Sequence, residues 1–253
     1  MCGKAFALPV YPVTRAKFER SVLKPIVFIL SLAPAAYLVW ALLLMLGVTT
    51  SGPDLGADPL KAITHETGDW TIRFICLTLA ITPLRKFTKW NGAIKFRRMI
   101  GLFAFFYGTL HFLIYAVADR FASLVDFPQG IVSWDTAHRW LLAVWDDIAK
   151  RPYITIGFTA LVLMLPLAIT STTGWIRRMG GKRWNTLHKL VYVTAVLAVI
   201  HYWWLVKADI RSPLMYAVIV AVLLGLRVIW AVDKSRTASG RAVAVSRVVQ
   251  RAE

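Results

Sequence analysis

Residues 184–206 read WNTLHKLVYVTAVLAVIHYWWLV. The run is long and apolar enough to cross the roughly 30 Å hydrocarbon core of a bilayer. It carries two histidines, His188 and His201, 13 residues apart. A third, His111, sits in residues 98–118, RMIGLFAFFYGTLHFLIYAVA. An imidazole inside a membrane is costly and marks a functional site by default.

Four further runs have the length and composition of spans: 25–46, 68–84, 153–171 and 212–230. The second is the weakest, being short and holding Arg73. The 253 residues are 58% hydrophobic and 17% charged, which excludes an ordinary soluble domain. The fold class expected is an all-α membrane protein, a six-transmembrane helical bundle. Residues 1–24 form an N-terminal arm, 25–230 the bundle and 231–253 a basic tail. Neither arm nor tail could bury a core of its own. The arm lacks the short apolar core and cleavage site of a signal peptide.

The net charge of +17 would suit nucleic acid, but its distribution does not. Twenty of the 30 Lys and Arg lie in the arm, the 85–98 loop, the 172–183 loop and the tail, whereas ten of the 13 acids lie in the alternate segments. The positive-inside rule then puts both termini in the cytoplasm of a bacterial inner membrane and explains the charge without nucleic acid. Cys2 and Cys76 show neither a metal spacing nor a credible disulfide.

Punctuation refines the spans. Pro25 suits a helix start, Pro34 should kink the first span, and Thr82-Pro83 should close the second. The 47–67 segment reads as a loop and 172–183 as a short turn, which makes spans four and five antiparallel neighbours. The 119–152 segment is long. Within it Trp134, Ala137, Leu141, Val144 or Trp145, and Ile148 recur at helical spacing, the mark of an amphipathic helix on the periplasmic surface that seals the bundle or docks a partner.

Helix rise sets depth. His111 falls about 10 Å and His201 about 8 Å from the predicted periplasmic ends of their spans, so the two lie level, as axial ligands of one haem iron must. His188 lies about 20 Å deeper along the same helix as His201, and an ideal helix would turn the two about 220° apart. Its level counterparts on span three are Arg97 and Arg98, so an inner site needs a non-histidine ligand or an open position, or else holds a flavin or quinone with an arginine on its phosphate or carboxylate. Each histidine taken alone also suits a helix–helix hydrogen bond. A proton relay is the rival use, though the spans lack the usual carboxylates. His138 reads as solvated surface and His65 as loop structure, with contact to a cofactor or partner as the lesser alternative. Arg73 reads as a snorkelling side chain or a partner for a propionate.

At these residues the chain resembles a known family. Gly56-Ala57-Asp58-Pro59 with His65 and Thr67-Gly68, Ile81-Thr82-Pro83-Leu84, and Arg97-Arg98-Met99-Ile100-Gly101-Leu102 carry the first half of the likeness. Thr109-Leu110-His111 with Tyr115, Arg151-Pro152-Tyr153, and Thr170-Ser171-Thr172 continue it. Gly181-Lys182-Arg183-Trp184 with Leu187-His188, and Ile200-His201-Tyr202 with Val206-Lys207, complete it. The ordered set is similar to the MsrQ (YedZ) family, haem-binding membrane subunits of methionine sulfoxide reductase systems in the ferric-reductase-like transmembrane group.

That resemblance implies haem b, with a second haem open, and FMN. It implies His111, His188 and His201 as haem ligands. It also implies electron transfer from the quinol pool to a periplasmic molybdopterin-containing methionine sulfoxide reductase of the MsrP kind, where the repair chemistry would reside. The 119–152 loop is longer than the family pattern. The tail is too short for the flavin and nicotinamide domain of NADPH-oxidising relatives, so electrons are expected from quinol or a separate cytoplasmic flavin reductase. The alternatives are a stand-alone ferric or quinone reductase and, in another class, a cofactor-free proton-coupled transporter.

Overall fold

The computed structural model describes residues 15–121, 134–206 and 209–250, and every regular element in them is helical. Cys2, the 122–133 part of the long loop, Lys207 and the last three residues lie outside them. A helical lead-in (Arg15–Phe18, then a π-turn Glu19–Leu23) runs into α1 (Lys24–Met45). There follow α2 (Pro59–Thr88), α3 (Ile94–Leu113) with a π-helical continuation (Ile114–Phe121), and α4 (Trp134–Lys150). The rest are α5 (Pro152–Ile169), α6 (Thr173–Leu187), α7 (Leu190–Leu205) and α8 (Arg211–Gln250). α2 and α5 both begin at one end of the bundle, its upper end.

Among the described residues four helical stretches are long and apolar enough to cross a membrane: Glu19–Met45, Asn91–Ala118, Pro152–Ile169 and Arg211–Thr237. The other two predicted spans have changed shape. Residues 68–84 belong to α2, whose 30 residues reach about 45 Å but carry Glu66, Asp69 and Arg73. Pro83 does not close α2, which runs on to Thr88, and residues 59–67 are its first turns rather than loop. One proline removes one N–H, and the packed turns on either side keep their own bonds.

The predicted fifth span is divided. His188 and Lys189 stand between α6 and α7, and the expected 172–183 turn is most of α6. Within α6 Gly180 takes φ 73°, ψ 152°, a backbone shape open to glycine, and bends the helix there. As expected, α5 and α7 pack antiparallel: Gly157 near the start of α5 meets His201 near the end of α7.

The core gathers where α2 and α3 pack along their length. Phe74 stacks on Tyr107 with ring centroids 5.3 Å apart, and on Phe103 at 5.7 Å. The Tyr107 hydroxyl is fully buried and enters α1 beside Pro34. It donates to Ser31 O at 2.8 Å and accepts from Ala35 N at 3.1 Å, the two groups that an unbroken helix would pair with each other. Pro34 thus stays within α1, and the opened ladder is filled by a tyrosine from α3. At the lower end Glu19 accepts from Trp90 Nε1 at 2.7 Å and Lys95 Nζ at 2.9 Å, tying the lead-in to the α2–α3 corner.

Candidate functional site: two histidine chambers

The upper half of the bundle encloses a cavity of about 410 Å³ lined by His111 and His201 and by apolar residues of α2, α3, α5 and α7, among them Ile72, Ile75, Leu161 and Met164. Its size suits a cofactor. The two imidazoles come from α3 and α7, as depth alone implied. Their ring centroids are 6.2 Å apart, with the planes at 78°.

Each ring is fixed by a backbone carbonyl of another helix. His111 Nδ1 lies 2.9 Å from Thr64 O on α2, and His201 Nδ1 lies 2.7 Å from Tyr153 O on α5. A carbonyl only accepts, so both rings carry their proton on Nδ1 and keep a lone pair on Nε2. This tautomer, with Nδ1 donating to a carbonyl, is the arrangement metal-bound histidines use. Glycines make the room. A Cβ on Gly157 would lie 2.7 Å from His201 Cε1 and Nδ1, and one on Gly68 would lie 3.2 Å from His111 Cε1.

An imidazole nitrogen stands about 2 Å from a first-row metal ion and about 1.1 Å from its own ring centre, so two rings on opposite sides of one ion stand roughly 6 Å apart. The observed separation fits. Among the described residues no group of three or more His, Cys, Asp or Glu could hold a metal. A bare ion would therefore find only two protein ligands, whereas a macrocycle that fills the other four positions matches the donor set.

The second chamber, about 70 Å³, lies toward the lower end and is lined by Arg97, Arg98, Trp184 and His188. The two-residue turn at His188 and Lys189 departs from the single ideal helix behind the 220° estimate. The His188 ring stacks on Trp184 at 3.8 Å, and its Nδ1 lies 3.1 Å from Trp184 O. Among the described residues its Nε2 is buried without a hydrogen-bond partner. Ile75, Met164 and Thr194 line both chambers and form the wall between them.

Other predicted residues are placed differently. His65 lies on α2, not in a loop, and lines the mouth of the large cavity with Lys61 and Arg151. His138 is exposed on α4. Arg73 turns away from the cavity. It donates to Tyr216 OH at 3.1 Å and Asp69 Oδ2 at 3.3 Å and lies over the Trp70 ring. So one carboxylate, Asp69, does stand within a predicted span, already paired to Arg73. Sequence reasoning missed Gly157, Gly68 and the carbonyls of Thr64 and Tyr153. The only signal was that Thr67-Gly68 and Arg151-Pro152-Tyr153 recur in the family pattern.

Residues 67–199, just over half of the chain, match the family described as ferric reductase like transmembrane component. A relative from Herminiimonas arsenicoxydans, the protein-methionine-sulfoxide reductase heme-binding subunit MsrQ, is 45% identical over 85% of this chain and 88% of its own. The chain belongs to the MsrQ family. The MsrQ protein of Ralstonia nicotianae is 48% identical over 81% of this chain and 83% of its own. That of Xanthomonas euvesicatoria pv. vesicatoria is 46% identical over 89% and 95%. The matched family region begins at Thr67 in α2 and ends at Val199 in α7, so it takes in the Gly68, His111, Gly157 and His188 positions and stops two residues short of His201. The MsrQ matches cover the larger share of the chain.

Proposed function

We propose that this chain is the b-type cytochrome subunit of a methionine sulfoxide reductase system in the bacterial inner membrane. The observation that carries the reading is the His111–His201 pair, two imidazoles 6.2 Å apart with both Nδ1 atoms committed to carbonyls. The printed name of the relatives, heme-binding subunit, supports it. His111 and His201 would hold one haem b, whose iron would supply one-electron exchange. Thr64 and Tyr153 hold the ligand tautomers, Gly68 and Gly157 admit the rings, and the apolar lining keeps water out.

His188, with Arg97 and Arg98, forms the second site, for a second haem, FMN or a quinone, and its chamber of about 70 Å³ must widen to admit any of them. Electrons enter from quinol or a cytoplasmic flavin reductase. They leave on the periplasmic side to a molybdopterin-containing subunit that carries out the repair. The bundle crosses six times with both termini cytoplasmic, α2 and α7 making the two crossings that length and composition alone do not reveal.

The test is a visible spectrum of the purified protein. A Soret band with a reducible α-band is expected, lost on His111→Ala and on His201→Ala and kept on His138→Ala. A colourless wild-type protein, or full haem retention in both of the first two variants, overturns the reading.

A further inference from the structure

The long segment between α3 and α5 holds a helix with three faces where the sequence pattern suggested two. On α4 the side toward the bundle carries Thr136, Val144, Asp147 and Ile148, all buried. A second stripe, Trp134, Leu141, Leu142 and Trp145, is left exposed, Trp134 by 92% and Trp145 by 65%. The third carries two i,i+4 ion pairs, Arg139–Asp135 at 3.0 Å and Lys150–Asp146 at 2.7 Å. At about 100° per residue the exposed apolar residues fall in one sector of the helix, the paired charges in the next, and the buried residues in the remainder.

The depth of α4 is set by what it packs against. Val144 and Ile148 cluster with Ala116 and Ile154. Both of those residues lie inside stretches apolar and long enough to cross a membrane. Trp140 Nε1 donates to Ala116 O. At the other end only Arg151 separates α4 from α5, which enters the membrane at once. A helix fixed against the upper turns of two spans lies beside lipid, not above it. Its charged face is self-paired and offers little net field to steer a protein partner.

We propose that the Trp134–Leu141–Leu142–Trp145 stripe is seated in the acyl and glycerol region of the surrounding leaflet, with the Asp135–Arg139 and Asp146–Lys150 face toward water. The occupant of the stripe is phospholipid. The seating bears on the large cavity, because the side of the same helix toward the bundle carries Asp147. That carboxylate accepts from the Tyr115 hydroxyl and pairs with Arg151 Nε at 2.9 Å, and both partners line the cavity. Lipid thus holds down the helix that braces the cavity mouth.

The experiment places single cysteines at 139, 141, 145 and 146 of the full chain, with Cys2 replaced by Ser and the buried Cys76 retained. Each is spin-labelled and reconstituted in phosphatidylcholine–phosphatidylglycerol vesicles. Collision with oxygen, which partitions into lipid, is compared with collision with a water-soluble nickel chelate. Labels at 141 and 145 are expected to favour oxygen several-fold, and labels at 139 and 146 to favour nickel. Two results overturn the proposal: nickel access at 141 and 145 equal to that at 139, which means a water-facing surface left for a protein, or dipolar broadening at 141 and 145, which means a second copy of the chain covers the stripe. Two positions on each face keep the test decisive if one variant does not assemble, and no readout depends on haem.

Discussion

The two chambers hold their histidines in different ways. In the large one each imidazole is steered by a carbonyl of a neighbouring helix, Thr64 O for His111 and Tyr153 O for His201. In the small one His188 leans on Trp184, one turn back on its own chain, at a helix break, and faces arginines instead of a second ring. A ligand braced from another helix is oriented by the whole fold, and a pair so braced is preorganised to take an ion between them. A ligand braced by its own turn can follow its guest. On the proposed function, the large chamber would hold its group in one fixed geometry, and the small one would hold a group partly by charge.

The largest effect should come from breaking the braced pair. His111→Ala and His201→Ala should each abolish the haem of the large chamber, while His188→Ala should leave its signal in place. Haem quantification per polypeptide reads both. Equal loss in all three would erase the distinction between the chambers.

The next effect comes from the glycines. In Gly157→Ala the new methyl would lie 2.7 Å from two atoms of the His201 ring, closer than packed atoms tolerate, so ring or helix must move. Overpacking of this kind costs about 1–3 kcal/mol, and here it falls on the ligand. Most of the haem should be lost, with a shifted α-band in what remains. Gly68→Ala meets His111 at 3.2 Å and should lose less. The ranking, read from the same spectra, is the sensitive part of the prediction.

Tyr107→Phe separates stability from the site. It leaves Ser31 O and Ala35 N inside the bundle without the hydroxyl that joins them. About 1–3 kcal/mol of stability should go, the cost of unsatisfied buried polar groups. Thermal unfolding in detergent should show it, with the spectrum unchanged.

Much of this plan is legible in the sequence, and what is not has physical causes. The levels of His111 and His201 follow from helix rise, which is nearly constant. The direction of His188 does not, because it turns on a break between α6 and α7 that no proline or glycine marks at 188–189. The start of α2 is not legible, because Gly, Pro and Asp near residues 52–59 speak for a loop, while Asp58 caps a helix by accepting from Lys61 N at 3.1 Å. The carbonyls that set the tautomers are backbone atoms and leave no letter in the sequence. On α4 the apolar stripe divides: Val144 and Ile148 pack against the bundle, as a sealing helix requires. Trp134 and Leu141 face outward, and Thr136 and Asp147 take the inner face, because that face is chosen by hydrogen bonds to the spans as well as by apolar contact.

The smallest predicted effect tests the wall between the chambers. Thr194 is fully buried and lines both cavities, and among the described residues its hydroxyl has no hydrogen-bond partner. Other threonines of the bundle, Thr71 and Thr78 among them, donate back to the carbonyl four residues earlier. An unpaired buried hydroxyl costs about 1–3 kcal/mol, and a methyl of the same shape removes that cost. If the wall is only packing, Thr194→Val should keep the spectrum and melt at the same temperature or slightly higher. If the hydroxyl serves a group lodged beside it, the apo protein should still gain stability while the loaded protein loses it. Melting the variant with and without bound cofactor tells these apart. A loss in both states would mean that neither account of the wall holds, since a valine fits the space a threonine leaves.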